Sequence, residues 1–136
     1  MTRLAAIVLA AMTSSALAQE REWMFLTGDE QASLTFGVPD SDDAGISFWC
    51  TMQSNEINIF VGETNESIVA GRQAPMVLKV GGRDHKYSAK ALPNEDAGVP
   101  SLEALTAVSD PLFQDLQNAD RFYYLEIFDD SLFSGE

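Results

Sequence analysis

Cysteine, histidine and positive charge are all scarce in this sequence, and each shortage narrows the chemistry. One cysteine in 136 residues rules out an intrachain disulfide framework and any zinc site built from paired cysteines. His85 is the only histidine, so a Ser–His–Asp unit would have to use it, and no Gly-x-Ser-x-Gly elbow accompanies it. Lys and Arg number 8 against 21 Asp and Glu, a formal net charge of -13. That balance argues against nucleic acid, whose phosphates call for a basic face. Long apolar runs are missing as well: none approaches the roughly 20 residues that span a bilayer. What remains is a chain 46% hydrophobic, enough for a packed core, and of a length that suits one domain.

The N-terminus has the layout of an export signal. Arg3 supplies a charge, Leu4 to Met12 is wholly apolar, and Ala16-Leu17-Ala18 offers small residues where a signal peptidase cuts. Residues 1–18 are therefore expected to be a signal peptide, and residues 19–136 a single β-rich domain, periplasmic or secreted. No cysteine lies near the cut, so no lipid or membrane anchor is expected after cleavage. Losing Arg3 makes the mature chain one unit more acidic.

Short apolar stretches then alternate with turn residues. Trp23 to Thr27 and Ala32 to Gly37 read as strands, separated from the next by the turn cluster Pro39 to Asp43. Gly45 to Met52 puts Ile46, Phe48 and Cys50 on one face, and Glu56 to Gly62 puts Ile57, Ile59 and Val61 on one face. These two predict an antiparallel hairpin. Met76 to Val80 and Lys86 to Leu92 flank Gly81-Gly82, which supply the positive φ of a second hairpin. Leu102 to Val108 has spacing that suits a short helix or a strand, and its Val, Thr and flanking Pro residues fit a strand better. Asp110-Pro111 is a helix start, with Leu112, Phe113, Leu116 and Ala119 at helical spacing. Arg121 to Phe128 is an aromatic strand.

The expected fold is mainly β: a single-domain antiparallel β-sandwich or partly open barrel, with one short helix near residues 111–119. The chain stops soon after its aromatic strand, so a closing C-terminal strand is expected to be lacking unless the tail around Leu132 and Phe133 pairs.

The run Leu34 to Asp43, followed by Ser47-Phe48-Trp49-Cys50, resembles small exported proteobacterial proteins of unknown function. They begin with a Trp-containing strand, then a Gly-x-Pro-x-Ser-Asp turn, then a strand ending in Cys. Gly81-Gly82 and Asp110-Pro111-Leu112-Phe113 are similar too. The resemblance covers most of residues 23–128 and implies an exported, β-rich protein, without implying an activity. It also implies a further C-terminal strand with a second cysteine, whereas this sequence holds only Cys50.

Few residues invite a site. His85 reads as a surface histidine at the tip of the Gly81-Gly82 hairpin. Asp40, Asp42 and Asp43, with Gly45 behind them, echo the start of a calcium loop and could form a weak calcium turn. Ala44 and Thr51 stand where that loop needs ligands, and an acidic turn is the simpler reading. Cys50 fits a buried thiol, an interchain disulfide or, least well, a catalytic thiolate. No catalytic set and no cofactor motif is expected.

Charge is unevenly placed. Lys79, Arg83, Lys86 and Lys90 crowd one hairpin, while residues 95–136 hold ten acids against Arg121 alone. Asp115, Asp120, Asp129 and Asp130 are the expected members of an acidic docking face, against the plainer reading of a solvated surface that keeps the protein soluble. Two functions compete. One is an acidic, non-enzymatic binding or scaffolding module that docks a cationic partner such as a basic cell-wall hydrolase. The other is a small hydrolase of the cell envelope using paired carboxylates.

Overall fold

The computed structural model describes residues 20–62, 64, 67–119 and the backbone of 122–125. Eight strands and one helix follow in the order β1 (Glu22–Thr27), β2 (Gln31–Gly37), β3 (Ala44–Thr51), β4 (Glu56–Val61), β5 (Gln73–Val80), β6 (Arg83–Leu92), β7 (Ser101–Ala107), α1 (Pro111–Asn118) and β8 (Phe122–Leu125). All eight strands lie in one open sheet, in the order β1-β2-β3-β4-β7-β6-β5-β8, with β1 and β8 at its edges. Every neighbouring pair is antiparallel. The mainly β class and the short helix are as expected. Where a sandwich or partly open barrel is expected, the strands form one open, unclosed sheet, because β7 returns to pair with β4 and β8 with β5, which keeps every strand in one ladder.

Two turns show why the sequence folds this way. Gly81 and Gly82 have φ of 58° and 81°, the double positive-φ geometry of a two-residue hairpin turn, which glycine adopts without steric cost. They allow β5 and β6 to pair from Gln73↔Lys90 to Val80↔Arg83, longer than their apolar residues alone suggest. At Gly37 the register of β2 on β3 shifts, and a Cβ there would collide with the carbonyl oxygen of Asp43. The 38–43 turn folds back tightly at that point: the Ser41 hydroxyl donates to Val38 O at 2.7 Å and accepts from Asp43 N at 3.1 Å.

Period-two alternation sorts the strands into a buried and an outer face. Ile46, Phe48, Ile59, Val61, Met76, Leu78, Val80, Ala89, Ala91 and Leu102 share the buried face, with Leu112 of α1 seated among them. Burying each large aliphatic side chain contributes roughly 1.5–3 kcal/mol, so this face and its helix make the core. Phe113 reaches further along it and meets Phe48 edge-on, ring centroids 5.9 Å apart. Phe48 also stacks against Trp23 at 6.3 Å.

The expected helix over 111–119 spans 111–118, with Asp110 as its cap: the Asp110 carboxylate accepts from Leu112 N at 2.9 Å. Four residues of the expected aromatic strand form β8. The expected signal peptide and the tail with Leu132 and Phe133 lie outside the described residues. No helix among the described residues is long and apolar enough to cross a membrane.

Candidate functional site

Two carboxylates bolt α1 onto the sheet. Asp110, just before the helix, accepts the hydroxyl of Thr106 on β7 at 2.6 Å and that of Tyr87 on β6 at 2.7 Å. Asp115, one turn on, faces His85 Nε2 at 2.8 Å and Arg83 at 3.3 Å. A carboxylate only accepts, so Nε2 carries the hydrogen.

These contacts set charges. Burial works to raise the Asp110 pKa, but hydrogen bonds from Thr106, Leu112 N and Tyr87, with the charge of His85, outweigh it and hold the carboxyl below its ordinary range. Tyr87 moves the other way: burial, then the hydrogen bond and the negative charge of Asp110, push its phenol far above the usual value.

His85 is thus not the expected surface residue of a hairpin tip. β6 begins at Arg83, directly after the glycines, so position 85 already lies in the ladder opposite Leu78. It shares parity with Tyr87, Ala89 and Ala91 and points under the helix, with only 9% of its side chain exposed. Asp115 is one of the acids expected on a docking face. Its side chain is 17% exposed and committed to His85 and Arg83. Asp120, Asp129 and Asp130 lie outside the described residues.

Asp40, Asp42 and Asp43 of the expected calcium turn lie in the 38–43 turn. Asp40 sits at φ 55°, and Asp43 is held by Arg21 at 2.8 and 3.3 Å. No group of three or more metal-ligating side chains gathers among the described residues.

Two hollows remain. The larger, about 620 Å³, lies where the 38–43 turn, the end of β4 and the loop after β6 meet, and is lined by Asp42, Asp43, Phe60, Asn94 and Asp96. Nothing in the local sequence joins these residues, which come from three segments. Neither Asp42 nor Asp96 has a carboxylate partner among the described residues. The smaller, about 170 Å³, opens on the helix-bearing face and is lined by Phe25, Leu34, Phe48, Cys50, Ile57 and Phe113. Cys50 is a free, half-buried thiol among hydrocarbon and aromatic walls.

No family model, curated protein or solved structure matches the chain.

Proposed function

We propose that this protein is an exported, non-enzymatic binding module that docks a cationic partner, such as a basic cell-wall hydrolase, through the hollow lined by Asp42, Asp43 and Asp96. The observation that carries the reading is the company those acids keep. Asp42 and Asp96 line a space of about 620 Å³ together with Phe60 and with Asp43, which Arg21 already binds, room for a lysine or arginine side chain. A cation there meets the carboxylates of Asp42 and Asp96 beside Phe60, and a cation held over an aromatic ring gains roughly 0.5–2 kcal/mol. The net charge of -13 adds a long-range field that speeds encounter with a basic protein. Export rests on Arg3, the apolar run Leu4 to Met12 and Ala16-Leu17-Ala18.

The histidine and the acids of α1 hold the helix in place, and this employment favours binding over catalysis. The test is capture from envelope extract at low salt with the purified protein as bait. Basic proteins that elute with salt, and are lost when Asp42→Asn and Asp96→Asn are combined, support the reading. Retention that ignores both salt and these substitutions overturns it.

A further inference from the structure

We propose that two copies of this chain pair edge to edge through β1, antiparallel about a two-fold axis at Phe25, so that their sheets run on as one. This surface is separate from the acid-lined hollow and serves a different partner, the chain itself.

β1 is an edge strand, and its outward backbone N–H and C=O groups have no neighbouring strand among the described residues. Natural edges are usually blunted by Lys, Pro, a bulge or brevity. β1 has none of these: its sequence is EWMFLT, six residues long, and its ladder with β2 runs unbroken from Glu22↔Gly37 to Thr27↔Ala32. Its large apolar side chains are exposed on both faces, Phe25 at 68% and Leu26 at 69%.

Symmetry and charge favour a second copy as the occupant. In a two-fold antiparallel pair, one residue must face its own counterpart, and facing residues lie on the same side of the sheet. Centring on Phe25 sets Phe25 opposite Phe25 on the helix-bearing face and Met24 opposite Leu26 on the other. Glu22 then falls opposite Gly28. Centring on Met24 instead would set the Glu22 carboxylate against Leu26. In the Phe25 register the like pair Glu20 and Glu30 falls outside β1, and Arg21, which binds Asp43, stands opposite Asp29. The chain holds 21 acids, yet β1 contains only Glu22, so few like charges face one another along this edge.

The pairing would also set the second Phe25 beside the first, whose ring lines the 170 Å³ apolar hollow. Directly opposed Cβ atoms stand about 4.5–5.5 Å apart, so the two hollows would merge across the axis.

The experiment is sedimentation of the purified full protein over a range of concentration, at low and raised salt. The parent should reach the mass of two chains, and raised salt should favour the dimer by screening repulsion between acidic copies. Phe25→Lys and Leu26→Lys should each give a monomer with an unchanged circular dichroism spectrum and Tm, because both sites are exposed. In a Cys50→Ser background, Phe25→Cys should cross-link two chains on mild oxidation, whereas Thr27→Cys should not. A parent that stays monomeric throughout overturns the proposal and leaves the edge to another strand. A dimer that survives both lysine substitutions, or that fails to cross-link through position 25, overturns it too. Salt separates this surface from the hollow, since raised salt weakens the docking of a cation and strengthens this pairing.

Discussion

His85 Nε2 lies 2.8 Å from Asp115 Oδ2 across thirty residues of chain, and that contact fastens the middle of α1 to the start of β6. The one histidine of the sequence is part of how the helix is held. A hydrogen bond involving a charged group contributes about 1.5–3 kcal/mol. Asp115→Ala should therefore destabilise the fold by about 1–3 kcal/mol and lower Tm by several degrees, while Arg83→Ala, at an exposed guanidinium, should cost roughly 0–1 kcal/mol. Denaturant unfolding of the two single variants, with a His85→Ala and Asp115→Ala cycle, measures the coupling directly.

Asp110 does more than cap a helix, since Tyr87 and Thr106 also point their hydroxyls at it. Asp110→Ala removes the cap, about 1 kcal/mol, and strands two half-buried donors. The total should reach about 2–4 kcal/mol. Tyr87→Phe, which takes away only one donor, should cost about 1 kcal/mol.

The same cluster predicts two pH limits. The folded pKa of Asp110 is depressed, so its stabilisation is present above the unfolded value, about 3.9, and is lost as pH falls through the folded value. Tyr87 is raised when folded, so its contribution is complete below the unfolded value, about 10, and is lost as pH climbs toward the folded value. Unfolding free energies for the parent, Asp110→Asn and Tyr87→Phe should show the acid limb flattened in the first variant and the alkaline limb flattened in the second.

The local grammar of this fold was readable, while its long-range pairing was not. Alternation in β3 and β4, the glycine pair and the Asp110-Pro111 start all announce themselves within a few residues, because each reflects a local backbone preference. The ladder of β4 with β7 links residues such as Ile59 and Ala104, and no local pattern encodes that choice between a sandwich and a single sheet. Only a turn longer than the glycine pair would leave His85 at a hairpin tip. Counting parity back from Ala91 and Ala89 would have placed it on the buried face. Asp115 belongs to the polar side of the α1 stripe by spacing, and only the sheet beneath reveals its partner. The acid-lined hollow joins Asp42 to Asp96 across two hairpins, beyond any spacing rule.

Phe48 joins the N-terminal strands to the helix, touching Trp23 on one side and Phe113 on the other. Phe48→Ala should cost about 3–5 kcal/mol and weaken the near-ultraviolet circular dichroism of the aromatic cluster. Phe25→Ala, at a largely exposed site, should have little effect on stability.

Export is checked at the N-terminus. Mass spectrometry of the protein recovered from the cell envelope should find Gln19 first, since Ala16-Leu17-Ala18 precedes it. Soluble cytoplasmic protein that keeps Met1 would contradict the export reading.

The most direct test of the binding account is a calorimetric titration of the purified protein with an oligolysine peptide at low and raised salt. The account predicts saturable binding that weakens as salt rises, and about a tenfold or greater loss of affinity when Asp42→Asn and Asp96→Asn are combined, equivalent to about 1.4 kcal/mol. Tm should stay within a few degrees, because neither carboxylate is tied into the fold among the described residues. Absence of binding at low salt, or an affinity indifferent to both salt and the paired substitution, would contradict it.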